Sequence, residues 1–214
     1  MSGGARWEWC GVWGAIGMGC RMVGRGWLML LGLAVLGGGW GSPAAGQGRA
    51  CDGQQILQPG KCAGDEMDGP ERQLAALINQ YRSEQGLPAI ALSPALSLVA
   101  NRHVRDMAMN SQRMTHDWSN CPMAQGGACM WKAPQVLGTG YPGDGYENAW
   151  SWSGTGPIDP ARVLRTWQGS AAHDDVIVNR NKWQKRTWRA LGVGMHGRFA
   201  VIWVGEEADP AAAQ

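Results

Sequence analysis

The C-terminal part of the chain places the strongest constraint on the fold. Leu191, Val193 and Met195 alternate with other residues, His196-Gly197 forms a turn, and residues 199–204 are a continuous apolar run. Alternation is typical of a strand with one buried face, whereas an unbroken apolar run indicates a strand covered on both faces. The pattern predicts a hairpin whose second strand lies inside the domain.

Three helices are predicted before this hairpin. The first runs from Pro70 to Gly86, the second opens at Ser93-Pro94 with serine as the cap, and the third opens at Asp159-Pro160. We expect His173 at the end of the third helix. Residues 110–159 show no helical period, and their many Trp and Tyr residues argue against disorder. This order of elements predicts an α+β or layered α/β/α domain.

The N-terminal residues have the pattern of an export signal. Arg21 and Arg25 precede the apolar run 27–36, and small residues follow up to Ala45. The run is shorter than the ~20 residues that a membrane-spanning helix needs. We therefore assign 1–46 to a signal region, with translation starting at Met22 or Met18 and an uncleaved anchor as the alternative. The mature chain is expected to have no stable membrane span and to be extracellular or periplasmic.

The charge balance argues against nucleic-acid binding. The chain has 19 basic and 17 acidic residues, and three of the basic and one of the acidic residues precede Gln47. The mature chain is therefore formally neutral, whereas nucleic-acid-binding proteins usually carry a basic surplus.

Four cysteines fall in the mature chain, in two pairs that are close in sequence: Cys51 with Cys62, and Cys121 with Cys129. An even number in an exported chain indicates disulfides, for which we favour the sequence neighbours, with free buried thiols as the alternative. Residues 47–70 are predicted to be a linker that contains the first of these loops.

The four histidines differ in their surroundings. His103 lies on the apolar stripe of the second helix, which favours a hydrogen-bonded core histidine, and His196 lies in the hairpin turn. His116 follows the second helix in a loop with polar and aromatic neighbours, where sites are often built. His173 lies one helical turn after Ser170, so these two side chains share a face.

Glu147 is the carboxylate that could complete a site with these histidines. It lies between Tyr146 and Asn148 in an aromatic segment, where burial of a charge is costly unless it is paired. Two imidazoles and a carboxylate could hold Zn²⁺ or another divalent metal, or the carboxylate could orient a histidine as a general base. The spacing matches no compact metal motif.

The order of these pieces resembles the CAP superfamily of cysteine-rich secretory, antigen 5 and pathogenesis-related proteins, especially its bacterial branch. The resemblance covers residues 71–207 and leaves 208–214 as a disordered tail. The matching pieces are 77–82, Gly86-Leu87-Pro88, 96–107, Thr115-His116, 146–149, Trp167 with Ser170 and His173, 191–194 and the last strand.

The resemblance implies a three-layer α-β-α sandwich with a central cleft lined by two histidines and two acids, which takes a divalent metal in some members. His116 matches the first cleft histidine and Glu147 the first acid. Ser170 stands where many members have the second acid, and the second histidine is missing near Gly197. Bacterial relatives often have a Trp, Ser, His pattern instead, which makes His173 the candidate replacement and His196 a weaker one. The expected cleft residues are His116, Glu147, Trp167, Ser170 and His173, with His116 and His173 as metal ligands.

Two functions follow from this interpretation. The first is a secreted binding module whose cleft holds a lipid, a cell-envelope component or a partner protein. The second is an extracellular hydrolase, in which His116, Glu147 and His173 act with a metal or as general base, or in which Ser170 and His173 form a nucleophile pair. We expect binding rather than catalysis, because the altered second acid and second histidine weaken the case for an enzyme.

Overall fold

The structure is a computed structural model that describes residues 49–121 and 128–213. The predicted signal region therefore lies outside the described residues. The helices are α1 (Gly69–Glu84), α2 (Pro94–Asp106), α3 (Ala128–Trp131), α4 (Ala133–Val136), α5 (Pro160–Gln168) and α6 (Ala171–Ile177), and the strands are β1 (Tyr146–Ser151), β2 (Ala190–His196) and β3 (Phe199–Gly205). A π-helical turn, Met107–Ser111, extends α2. Single 3-10 turns occupy Gly53–Leu57, Asn181–Trp183 and Pro210–Ala213.

The strands form an antiparallel sheet in the order β1-β3-β2. All residues of β3 are buried, as the apolar run predicts. Alternate β3 residues face opposite cores: Phe199, Val201 and Trp203 pack with α2, whereas Ala200, Ile202 and Val204 pack with α1, α5 and α6. The domain is thus the expected three-layer α-β-α sandwich, with β3 at its centre.

Side-chain caps begin the main helices, at Ser93 and Asp159 as the sequence predicts. Asp68 and Glu71 form a reciprocal capping box at the start of α1, and Ser93 accepts a hydrogen bond from the backbone N–H of Leu96 in α2. The Asp159 side chain accepts a hydrogen bond from the backbone N–H of Ala161 in α5. These contacts satisfy backbone N–H groups that have no partner within the helix.

The prediction that His173 ends the third helix is wrong. Helix α5 ends at Gln168 with Gly169 as its C-cap, and Ser170 adopts an extended conformation that starts a new helix, α6. His173 therefore lies in the first turn of α6 rather than at the end of α5.

Two glycines allow α2 to lie directly against β2. A Cβ atom added to Gly192 would lie 2.1 Å from the carbonyl carbon of Leu96, and one added to Gly194 would lie 2.4 Å from that of Ala100. Both contacts are with helix backbone, which cannot rotate away. The close approach fixes the position of α2, and with it the residues that α2 contributes to the site.

Both predicted disulfides are present, Cys51–Cys62 and Cys121–Cys129, with Cα–Cα distances of 5.6 and 6.1 Å. Part of the segment predicted as a linker packs on α2. The buried Asp65 pairs with Arg102, at 2.6 Å, and with Arg105, and the Arg102 guanidinium also donates to the carbonyl oxygens of Ile56 and Gly60. The first disulfide loop is therefore attached to the domain through buried charges.

The stretch 208–214, expected to be a disordered tail, contains one buried residue, Asp209. Asp209 is 6% exposed and accepts hydrogen bonds from the Ser93 hydroxyl, at 2.5 Å, and from the backbone N–H of Ala95. It thus caps the start of α2 from the C-terminal end of the chain. Within the described ranges, no helix is long and apolar enough to cross a membrane.

Candidate functional site

A buried carboxylate, that of Glu147, lies on the edge strand β1 opposite Trp203 of β3. Its side chain is fully buried. One oxygen, Oε2, accepts hydrogen bonds from Nδ1 of His103 and, at 2.9 Å, from Nε1 of Trp203. The other, Oε1, accepts one from Nδ1 of His116 at 2.6 Å. Three N–H donors therefore compensate the burial of this charge, as a stable buried carboxylate requires.

His103 is the fully buried partner, held in place from several sides. Its ring stacks on Trp118, with the ring centroids 4.7 Å apart. Its Nε2 lies 3.2 Å from the backbone carbonyl oxygen of Asp117, while Nδ1 faces Glu147. Because both ring nitrogens face acceptors, both act as donors, which is the arrangement of a protonated imidazolium. The core histidine expected from the helical stripe is thus an ion-pair partner of the site carboxylate.

The pKa values of this cluster follow from burial and pairing. Burial raises the pKa of Glu147, but the charges and hydrogen bonds of His103 and His116 outweigh it and bring the value down to about 2. Burial lowers the pKa of His103, but Glu147 outweighs this effect and the pKa is raised overall. For His116 the hydrogen bond to Glu147 is the largest contribution, and its pKa is raised. The cluster is therefore an ionised carboxylate between two imidazoles that favour the charged form.

His116 is the exposed end of this cluster, with 41% of its side chain accessible to solvent. Because Nδ1 is held by Glu147, the ring presents Nε2 to a ligand. A carboxylate behind a histidine fixes both the tautomer and the orientation of the ring. When the ring is protonated, Nε2–H is a fixed, positively charged donor, and when the ring is neutral Nε2 is an acceptor.

His173 lies close enough to His116 to feel its charge. Burial and, second to it, the charge of His116 lower the pKa of His173. Its Nδ1 lies 2.8 Å from the Ser170 hydroxyl, and its backbone carbonyl accepts a hydrogen bond from the Asn148 side chain at 2.9 Å. Asn148 points to the α6 side of the sheet, whereas its neighbour Glu147 points to the α2 side. Strand β1 thus joins the two halves of the site.

Two other expected candidates are not part of this cluster. Trp167 is 1% exposed and donates its indole N–H to the carbonyl of Ala149, so it packs in the core and is closed to a ligand. His196 lies at the far end of β2, where burial and the charge of Arg105 lower its pKa. Neither residue contacts Glu147.

Trp203 and Trp118 were not predicted as site residues, and the apolar position of His103 favoured a core role. Trp203 lies in the continuous apolar run, where nothing distinguishes it from a packing residue. A buried Glu147 carboxylate requires hydrogen-bond donors around it. The sequence therefore indicates that such partners exist, but it does not indicate which residues they are.

The donor set does not form a complete zinc site. In the parts of the chain that the structure describes, no group of three or more His, Cys, Asp and Glu side chains could hold a metal ion. His116 and His173 each have Nδ1 engaged and offer only Nε2, whereas zinc sites usually have three or four protein ligands. His103, His116 and Trp203 already direct N–H groups at the Glu147 oxygens, which occupies this carboxylate.

The structure is a three-layer sandwich with a histidine-carboxylate cluster at the sheet edge, and comparison with known proteins identifies the family of this fold. The model of the cysteine-rich secretory protein family, CAP, matches residues 75–197, more than half of the chain. The chain belongs to the CAP family. None of the curated proteins is similar enough to count as a match.

Solved structures with a similar fold come from bacteria. An extracellular protein containing an SCP domain from Bacillus anthracis is 22% identical, with a TM-score of 0.50, over 65% of this chain and 41% of that one. An outer surface protein from Borrelia burgdorferi is 16% identical (TM-score 0.48; 67% of this chain, 99% of that one). A cysteine-rich secretory protein from Staphylococcus aureus is 11% identical (TM-score 0.46; 64% and 38%). The chain spans less than half of the Bacillus and Staphylococcus proteins.

Proposed function

We propose that this protein is an exported CAP module that binds an amphipathic anion, a lipid with an acidic head group, through His116. The proposal rests on the position of His116, whose Nδ1 is held by the buried Glu147 carboxylate while 41% of its side chain is accessible to solvent. A fixed imidazole with a raised pKa is suited to hydrogen-bond an anionic oxygen of a ligand. The two disulfides support export, since they persist in oxidising compartments.

An apolar cavity next to the cluster supports the lipid part of the proposal. Trp118, which stacks on His103, also lines a cavity of about 240 Å³. The other lining residues are mostly apolar: Leu57, Asn120, Cys121, Cys129, Ala133, Val136 and Leu137. A dry apolar cavity of ~150 Å³ is large enough for a benzene ring, so this one could take a short piece of an acyl chain.

Binding is favoured over hydrolysis by the state of Glu147. A general base needs a free lone pair and a pKa near the working pH. Glu147 has a pKa of about 2, and its oxygens already accept from three donors. The hydrogen bond between Ser170 and His173 is the feature that most resembles a nucleophile pair, yet the ring of His173 has no carboxylate partner among the described residues.

Calorimetric titration of the mature chain with octanoate at pH 6 tests the proposal. We expect octanoate to bind, octanol to bind more weakly, and His116→Ala to weaken octanoate binding about tenfold or more, because a charged hydrogen bond is lost. His196→Ala is the matched control, since this histidine lies away from Glu147, and it should bind octanoate like the wild type. Equal affinity of the wild type and His116→Ala would contradict the proposal.

A further inference from the structure

A second groove lies on the other side of β1, away from the Glu147 cluster. It has a volume of about 410 Å³ and is lined by Trp131, Asp144, Tyr146, Lys182, Trp183 and Arg186. Trp131 is 37% exposed, which is unusual for a residue of this size. Trp183 is held edge-on to Tyr146, at a centroid distance of 5.3 Å, and packs against Trp188 at 5.6 Å. The groove therefore has a fixed aromatic wall and an exposed indole.

The charged groups of the groove are fixed in pairs. The Arg186 guanidinium lies 4.5 Å from the Tyr146 ring centre, donates to the Tyr146 hydroxyl at 2.6 Å and pairs with Glu206. Lys182 lies over the Trp183 ring at 5.0 Å. Cations already stacked on these rings keep them from acting as a cage for a cationic ligand.

A smaller acidic hollow of about 200 Å³ shares Asp144 and Tyr146 with the groove. Glu206 and Glu207 also line it, and Asp144 pairs with Lys132 at 2.5 Å. The two hollows together offer carboxylates that accept hydrogen bonds and cations that donate them. Since charges of both signs are present in similar number, the surface favours neither a polyanion nor a polycation.

We infer that this groove is a saccharide-binding site. A sugar ring has an apolar face of C–H groups, which matches an exposed indole, and a rim of hydroxyl groups that both donate and accept hydrogen bonds. A neutral saccharide can hydrogen-bond these ion pairs through its hydroxyl groups in place of water, whereas a purely apolar ligand would remove that water and offer no replacement. The site is separate from the one that His116 forms, and it would attach the module to a glycan while the other site holds its ligand.

The test is calorimetric titration of the mature chain with two neutral oligosaccharides, the β-1,4-linked hexamers of N-acetylglucosamine and of glucose. We expect at least one hexamer to bind, and Trp131→Ala to weaken that binding tenfold or more. Asp144→Asn, which keeps the size of the side chain, should weaken it severalfold. Circular dichroism and thermal melting establish that each variant is folded.

Trp152→Ala is the matched control. Trp152 is a partly exposed tryptophan under a stacked cation, Arg162 at 5.2 Å, and it lies outside the groove. This variant, and likewise His116→Ala, should keep the wild-type affinity for the hexamer. The inference is overturned if neither hexamer binds up to its solubility, or if folded Trp131→Ala binds as tightly as the wild type.

Discussion

The substitution Glu147→Ala is expected to lower the free energy of unfolding of the mature chain by about 3–5 kcal/mol, the cost of removing one partner from a buried ion pair. The variant leaves His103 fully buried without its counter-charge, and it leaves the Trp203 N–H without an acceptor. Urea denaturation followed by circular dichroism measures the effect. Glu66→Ala, which removes an exposed carboxylate, should change stability by no more than ~0.5 kcal/mol. A loss below ~1 kcal/mol in Glu147→Ala would show that the cluster contributes little.

The pH dependence of the stability difference between the wild type and Glu147→Ala follows from the directions of the pKa shifts. The pKa of Glu147 falls from 4.5 to about 2, so its contribution is fully present above pH 4.5 and is lost as the pH falls toward 2. The pKa of His103 and that of His116 are raised from 6.5, so their contributions are present below pH 6.5 and are lost as the pH rises through the folded-state values. The stability difference between the wild type and Glu147→Ala should therefore be largest between pH 4.5 and 6.5. A difference that grows on acidification below pH 4.5 would contradict this account.

The second large loss of stability is expected for Gly192→Ala. The added methyl group would lie 2.1 Å from the carbonyl carbon of Leu96 and 2.3 Å from its oxygen, so α2 must move away from β2. Overpacking usually costs 1–3 kcal/mol, and because the clash is with backbone we expect about 3 kcal/mol or more. A displaced α2 also moves His103 relative to Glu147.

The matched control for this substitution is Gly69→Ala. A methyl group at Gly69 meets nothing within 4 Å, and the residue lies in the first turn of α1. Its stability should stay within ~0.5 kcal/mol of the wild type or rise slightly, because alanine favours the helix. Thermal and urea unfolding of both variants gives the comparison. Similar free energies of unfolding for Gly192→Ala and Gly69→Ala would show that α2 does not lie directly against β2.

Much of the fold could be predicted because its signals are local. The caps Ser93 and Asp159 lie directly before Pro94 and Pro160, and the apolar run in β3 identifies the central strand. Strand β1 was not predicted, because Glu147 and Asn148 interrupt its apolar residues with polar ones. These polar residues hold His103, His116 and the backbone of His173, so the hydrogen-bonded cluster obscures the strand pattern.

The site could be predicted only in part, for a related reason. His116 and Glu147 were identified, but their contact depends on how a loop after α2 meets the sheet edge. His103 was interpreted as a core residue because its position on α2 is apolar, and only the three-dimensional packing brings it to Glu147. The break at Gly169 is equally non-local, since Asn148 of β1 donates to the carbonyl of His173 in the first turn of α6, and Val176 and Ile177 at the end of α6 pack in the core.

The most direct test of the central claim, that a buried ionised Glu147 holds His116 as a charged donor, is an NMR titration of the histidine side chains in the mature chain. We expect His116 to titrate above pH 6.5 and His173 below it, and Glu147→Gln to move the His116 midpoint down. A His116 midpoint at or below that of His173, or one unchanged by Glu147→Gln, would contradict it.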